Sequence, residues 1–240
     1  LNYREAQRKG KLPYSGTHIL RHGMATLARK VGGGLDAVIA MTGHKDLKLA
    51  DHYSKCDEED QKEVWKAIQN GTFDVFSSDH CPFYFKGKKG KDLNGTDASF
   101  SKIPNGCPGL ETRLPLLFSE GVLKNKISIN KFVEITSSKP AKIYGLYPRK
   151  GSILIGADAD LVIWDPNLKR KVTIDDQHDA MDYTPFEGME VTGWPMSVIV
   201  RGSPVILDGN FVGSHAHGKF TPREKTDLTG FIGHKAVELD

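Results

Sequence analysis

Two groups of residues in this 240-residue chain combine side-chain types and spacings that could carry chemistry. In the first group, His18 and Arg21 stand three positions apart, so on a helix their side chains project from the same face. His44 follows Gly43, and Tyr53 comes nine residues later. An arginine and imidazoles can neutralise charge on a phosphoryl transition state, and a tyrosine hydroxyl can attack phosphorus. Surface residues of a basic helical segment can show the same spacing, so both interpretations stay open.

The second group is the Asp79-His80 pair, which follows a predicted strand over residues 73–76. An α/β barrel places catalytic carboxylates at the C-terminal ends of its strands. Asp79 and His80 could therefore be metal ligands or an acid–base pair, and an aspartate that caps a turn is an equally good interpretation. No helix N-terminus or base accompanies Cys81, so we expect this thiol to have a packing role.

Helices are predicted around the first group and directly after it. Leu20, Met24, Leu27 and Val31 form the apolar stripe of an amphipathic helix, which the glycines at 32–34 end. Three more helices are predicted over residues 35–41, 47–53 and 58–68. The N-terminal segment is therefore expected to be helical, with short loops.

The pattern changes at Gly71. The strand over residues 73–76 precedes a predicted loop over 77–109, a length that is uncommon unless the loop has a function. Apolar spacing then predicts helices over residues 114–118, 129–136 and 140–144. From Ser152 onward, short apolar runs between turn residues predict strands over 161–164, 172–174, 197–200, 205–207 and 211–212.

The composition is that of an ordinary globular protein, with 38% hydrophobic and 26% charged residues, but the charge is uneven along the chain. Residues 1–55 hold ten Lys and Arg against four Asp and Glu, whereas the remainder holds 23 against 26. This basic segment predicts a polyanion partner, DNA. The chain contains no run of about 18 apolar residues, so the sequence predicts no membrane span. Three cysteines without patterned spacing favour a reducing, cytoplasmic location.

The first group resembles the C-terminal catalytic part of the tyrosine recombinases, or phage integrases. The matching runs are THILRH at 17–22, TGH at 42–44 and HY at 52–53. The resemblance implies that Tyr53 is the nucleophile and that Arg21, His18 and His44 activate the scissile phosphate. The family's first arginine, its β-hairpin lysine and its DNA-clamping domain have no counterpart here, so we expect half of a site.

The chain from about Trp65 to Arg223 resembles the C-terminal part of the dihydropyrimidinases and D-hydantoinases, which are cyclic amidohydrolases. The matching runs are SSDHCPF at 77–83, IPNG at 103–106, PGLETR at 108–113, PAKIYGLYPRKG at 140–151, GADAD at 156–160, PFEG at 185–188 and VTGWP at 191–195. The resemblance implies that Asp79 binds one of two divalent metal ions, zinc, and shuttles a proton to the leaving amide nitrogen. It also implies that the backbone of Asn105 holds the cyclic substrate.

The family's remaining site residues have no counterpart ahead of Asp79. These residues are a His-x-His pair, a carboxylated lysine, two further histidines and a tyrosine, and recombinase-like sequence occupies their place. One aspartate cannot hold two metal ions as a clamp, so we expect the metal not to be retained and the amidohydrolase site to be inactive. His215 and His217 have the spacing of the His-x-His pair, but they follow a predicted hairpin turn. We therefore do not expect them to bind metal.

The expected fold is mixed α and β, with a short helical N-terminal segment, partial (β/α) barrel elements and a small β-sandwich region. The predicted domains are residues 1–60, a recombinase-like fragment; 61–150, barrel elements; and 151–240, the sandwich region and tail. Three hypotheses remain: a hydantoinase-derived chain that forms a homo-oligomer, a DNA-binding recombinase fragment, and a non-functional rearrangement product.

Overall fold

The structure, a computed structural model, describes residues 58–87, 90–95, 98, 102–104 and 106–226. The helices predicted over residues 20–31, 35–41 and 47–53 lie outside the described residues. No helix in the described part is long and apolar enough to cross a membrane.

Helix α1 spans Glu58–Gln69 and confirms the helix predicted over residues 58–68. Lys66 lies in its last turn, where a positive charge complements the helix dipole. The helix ends where Gly71 adopts a φ of 83°, a left-handed conformation that glycine takes without steric cost.

The prediction of a strand over residues 73–76 is wrong, because this extended segment joins no sheet. Its backbone groups find other partners. The Phe76 N–H donates to the carbonyl of Ile135 at 3.0 Å, and the Arg113 guanidinium donates to the carbonyl of Phe76. The Asp74 carboxylate forms an ion pair with the buried Lys139 at 2.7 Å. The backbone N–H and C=O groups of a short apolar run can form hydrogen bonds with a helical segment and its side chains as well as with a neighbouring strand. The sequence of the run does not show which of these two partners it has.

Two helical runs follow the long loop and confirm the three helices predicted there. The first consists of α2, Arg113–Leu117, which continues as a π-helical turn over Phe118–Val122. The second consists of α3, Ile129–Val133, a π-helical turn over Glu134–Ser138, and α4, Lys139–Ile143. Ser128 caps the second run by accepting the Lys131 N–H at 3.0 Å. Their buried apolar side chains include Leu116, Leu117, Phe118, Phe132 and Ile135.

A four-stranded antiparallel sheet in the order β1-β2-β3-β4 forms the β part of the described chain. Its strands are β1, Leu161–Lys171; β2, Glu190–Val200; β3, Ser203–Leu207; and β4, Asn210–Phe211. Four predicted strands are thereby confirmed. Asp208 and Gly209 have φ values of 49° and 79°, the left-handed pair that a two-residue hairpin turn requires.

The prediction of a strand over residues 172–174 is wrong. Strand β1 ends at Lys171, and Ile174–Asp176 forms a 3₁₀ turn. In this segment, carboxylate side chains accept hydrogen bonds where a neighbouring strand would otherwise provide the partners. The Ile174 N–H donates to the Glu187 carboxylate at 2.8 Å, and the Thr173 hydroxyl donates to the Asp176 carboxylate at 3.0 Å.

The described residues divide into two compact units. The first unit contains the described residues within 58–64, 79–109 and 173–189, and the second contains those within 65–78, 110–172 and 190–226. The mixed α and β class is confirmed. The barrel elements, the second sheet of a sandwich and the domain limits near residues 60 and 150 stay predictions.

An aromatic cluster forms the core of the second unit. The Trp164 ring of β1 stacks on the Phe118 ring at 4.9 Å between centroids, and Phe132 meets Trp164 edge-on at 5.7 Å. Gly193 of β2, with a φ of 88°, lies against this cluster, and a Cβ atom there would overlap the Phe118 ring. The sheet can therefore approach the helices this closely because position 193 has no side chain.

The Gly193→Ala variant is expected to lower the free energy of unfolding through two effects. The left-handed backbone costs about 1–2 kcal/mol, and overpacking against Phe118 adds about 1–3 kcal/mol. Gly209→Ala is the matched control, because Gly209 has a similar φ of 79° with nothing within 4 Å of its Cβ position. Urea unfolding followed by tryptophan fluorescence checks this prediction. Equal losses in the two variants would show that the Phe118 contact does not matter.

Candidate functional site

Asp79, the predicted site carboxylate, lies exposed on a turn in the first unit. Its φ of 48° is left-handed, a conformation that aspartate tolerates better than most residues. The next residue, His80, forms an isolated parallel bridge with Cys107, and its Nδ1 accepts the Gly109 N–H at 3.2 Å. The turn is therefore held by the segment at 106–109, while the Asp79 carboxylate is left accessible.

The contact between this turn and residues 106–109 depends on a glycine. The Cys81 N–H donates to the Cys107 carbonyl at 3.3 Å. Gly106 has a φ of 127°, and a Cβ atom there would overlap the carbonyl oxygen of Cys81. Any other residue at position 106 would force the two segments apart.

Lys91 lies on the long loop and is buried, with 6% of its surface exposed. Its Nζ donates to the Pro104 carbonyl at 2.7 Å. Burial lowers the pKa of Lys91, and the thiols of Cys107 and Cys81 act in the opposite direction without cancelling this effect. The lysine thus fixes the backbone just before position 105.

Tyr183 and Cys107 form the apolar side of this region. Burial is the main cause that raises the pKa of the Tyr183 phenol above its usual range, and the neighbouring Cys107 adds to it. Burial also raises the pKa of the Cys107 thiol, although Lys91 and Tyr183 oppose that shift. The Tyr183 ring meets Phe85 edge-on at 5.5 Å. Both side chains are therefore neutral near pH 7.

Asp182 holds the start of the long loop. Its two carboxylate oxygens accept the N–H groups of Phe85 at 2.7 Å and Lys86 at 3.0 Å. Burial opposes ionisation of Asp182, but these backbone hydrogen bonds outweigh it and lower its pKa. Since the pKa is depressed in the folded protein, the stabilisation is complete above the unfolded-state pKa and is lost as the pH falls through the folded-state value.

The described residues do not assemble a metal centre. They contain no group of three or more His, Cys, Asp and Glu side chains that could hold a metal ion. Asp79 supplies one carboxylate, and a dimetal hydrolase site needs a full set of ligands. His215 is exposed, and a ring nitrogen of His217 contacts the Val200 carbonyl at 3.2 Å.

The structure thus places part of the predicted site. Asp79 and His80 lie together on one turn, whereas five predicted site residues lie outside the described residues: His18, Arg21, His44, Tyr53 and Asn105. Sequence reasoning missed Lys91, Asp182 and Tyr183. A lysine in a loop rich in glycine and lysine is typical of solvated surface, and residues 182–183 stand in a polar stretch without periodicity.

The Asp182→Ala variant is expected to free the start of the loop for proteolysis. Loss of two charge-assisted hydrogen bonds should speed tryptic cleavage after Lys86 by at least about tenfold. Asp179→Ala is the matched control, because Asp179 accepts a hydrogen bond from Met181 in its own segment at 3.2 Å. Limited digestion of the folded protein with mass spectrometry of the fragments measures both rates. Similar rates for the two variants would contradict the anchoring role of Asp182.

Curated proteins similar to this chain include two D-hydantoinases. The protein from Geobacillus stearothermophilus is 49% identical over 165 residues, which cover 69% of this chain and 34% of that protein. The protein from Ralstonia pickettii is 42% identical over 168 residues, which cover 70% of this chain and 36% of that protein. The chain therefore spans about a third of the length of these relatives.

Solved structures and a family model agree with this similarity. A dihydropyrimidinase from Brevibacillus agri matches with a TM-score of 0.66 and 46% identity, over 71% of this chain and 36% of that one. A D-hydantoinase from Thermus sp. matches with a TM-score of 0.65 and 42% identity, over 71% of this chain and 36% of that one. A sequence model described as "Amidohydrolase family" matches residues 15–205, most of the chain. The chain belongs to the amidohydrolase family.

Proposed function

We propose that the chain from about residue 65 onward is the C-terminal part of a cyclic-amide hydrolase of the hydantoinase type. The observation that carries this proposal is the 49% identity to a D-hydantoinase over 165 residues, together with an accessible carboxylate, Asp79, on a well-anchored turn. The proposed substrates are cyclic amides, dihydropyrimidines or hydantoins, since the similar proteins are named for hydrolases of these rings.

In this proposal Asp79 contributes the carboxylate of the site. Its exposure leaves its oxygens open to a cation or to a substrate proton, and the His80 ring fixes the turn through Gly109. The divalent metal of the family, zinc, needs ligands beyond those that the described residues assemble. We therefore propose that this chain alone does not retain the metal and is inactive.

Asn105 is the proposed substrate-binding residue, and its neighbours are fixed on both sides. The Pro104 carbonyl is held by Lys91, and Gly106 packs against the Cys81 backbone. We propose that the backbone at position 105, between these two supported positions, holds the cyclic substrate.

Assembly and location are part of the proposal. The described residues expose large apolar side chains, among them Ile155 and Phe220. Such surface favours association, so we propose a homo-oligomer. The described cysteines, Cys81 and Cys107, are free thiols, which suits a reducing cytoplasm.

The purified chain is expected to contain less than one metal ion per chain and to turn over neither dihydrouracil nor hydantoin. Elemental analysis and a ring-opening assay measure the two quantities. Asp79→Ala should then change nothing, as should Asp92→Ala, a control at another exposed aspartate of the first unit. Robust turnover that Asp79→Ala abolishes and Asp92→Ala leaves intact would overturn the proposal that the chain is inactive alone.

A second candidate function rests on the basic segment 1–55. The order His18, Arg21, His44 and Tyr53 favours a tyrosine-recombinase fragment that binds DNA and cleaves it through Tyr53. The amidohydrolase match begins at residue 15, so the same segment has two possible origins.

A nicked suicide DNA duplex distinguishes these two origins. Strand-cleavage competence predicts a covalent protein–DNA adduct that Tyr53→Phe abolishes and the control Tyr14→Phe preserves. Denaturing gel electrophoresis of end-labelled DNA detects the adduct. Absence of any adduct with the wild-type chain would count against the recombinase function.

The third hypothesis, a non-functional product, predicts no cooperative thermal transition.

A further inference from the structure

Two short backbone segments of the first unit, residues 84–85 and 91–92, are hydrogen-bonded to each other. The Lys91 N–H donates to the Tyr84 carbonyl at 2.9 Å, and the Asp92 N–H donates to the Phe85 carbonyl at 3.1 Å. Any displacement of Phe85 must therefore strain or break the bonds that hold the backbone of Lys91.

Each of these segments has a second contact, with a distant part of the first unit. On one side, the Asp182 carboxylate accepts the N–H groups of Phe85 and Lys86 at 2.7 and 3.0 Å. On the other side, the buried Lys91 side chain donates from Nζ to the Pro104 carbonyl at 2.7 Å. Asp182, Phe85, Lys91 and Pro104 thus form a continuous series of contacts, the Asp182–Pro104 path.

Further contacts support this path at both ends. The Asn94 amide donates to the Lys102 carbonyl at 2.7 Å, which joins the same two parts of the chain as the Lys91 bond does. The Tyr183 ring meets the Phe85 ring edge-on at 5.5 Å. Residues 182–183 therefore hold Phe85 through both a carboxylate and an aromatic ring.

We propose that Asp182 is a positioning residue for the cyclic substrate and acts through Phe85 and Lys91 on the backbone before position 105. This inference rests on the proposed function, in which the backbone at position 105 holds the ring. Main-chain groups that bind a ring must be held in place by the residues around them. The carboxylate of Asp182 forms charge-assisted hydrogen bonds, which are stronger than neutral ones, so it is the anchor of the path.

Hydrogen–deuterium exchange of the full chain, measured by mass spectrometry, tests the path without any need for turnover. In Asp182→Ala we expect the amides of residues 103–109 to exchange at least about tenfold faster than in the wild-type chain. Strands β1 and β2 should exchange at the wild-type rate. Asp179→Ala is the matched control, because Asp179 accepts its hydrogen bond from Met181 in its own segment. Unchanged exchange over residues 103–109 in Asp182→Ala would overturn the proposal.

The Lys91→Met variant tests the direction of the path, because it removes the amine and keeps an unbranched side chain. We expect faster exchange over residues 103–109 but wild-type exchange over 84–86, which Asp182 still holds. Lys102→Met, at an exposed lysine, is the control and should change neither segment. In the double variant of Asp182 and Lys91, exchange over 103–109 should be no faster than in the faster single variant. Rates that multiply would contradict a single path.

Steady-state kinetics separate positioning from a merely structural role. They require a chimera in which residues 65–226 replace the matching third of the Geobacillus stearothermophilus D-hydantoinase. In this chimera Asp182→Ala should raise the KM for hydantoin at least about tenfold and change kcat less than about threefold. A lower kcat at an unchanged KM would contradict positioning, since it would mean that fewer molecules are correctly folded. A chimera without turnover would count against the proposed function, whereas hydrogen exchange would still decide whether the path exists.

Discussion

The stacking of the Trp164 indole on the Phe118 ring is the contact on which the second unit depends. It joins strand β1 to the π-helical turn after α2, and Phe132 closes it from the second helical run. Since Gly193 lets the sheet approach this closely, one missing side chain permits the arrangement. The Ser119 hydroxyl completes the contact by accepting the Thr192 N–H from β2 at 3.1 Å. Helices and sheet are thus joined by ring packing and by a hydrogen bond.

The first unit relies on a different constraint, in which polar groups fix loops. Asp182 holds the N–H groups of Phe85 and Lys86, and Lys91 holds the Pro104 carbonyl. Such anchors order long irregular segments without a ladder of strands. Contacts of His80 and Cys81 with residues 107–109 in turn support the turn that carries the exposed Asp79 carboxylate.

Helices and strands whose apolar residues recur at regular spacing, and turns whose residue types favour one conformation, could be predicted from the sequence. Helix α1 and the hairpin at Asp208-Gly209 are examples, because apolar spacing and left-handed glycines determine them locally. The segments at 73–76 and 172–174 could not, since their partners are a carbonyl of the second helical run, an arginine and a carboxylate from distant positions. Asp79 could be proposed from its sequence context. Burial of Lys91 could not, because it follows from tertiary contacts alone.

We propose that the part of the chain from about residue 65 onward is equivalent to the corresponding part of a D-hydantoinase, with Asp79 as its site carboxylate. The most direct measurement is hydantoin hydrolysis by a chimera in which residues 65–226 of this chain replace the matching third of the Geobacillus stearothermophilus enzyme. The claim predicts a folded, metal-containing chimera that hydrolyses hydantoin and loses this activity with Asp79→Asn but not with Asp92→Asn. A folded chimera without turnover, or one whose turnover survives Asp79→Asn, would contradict it.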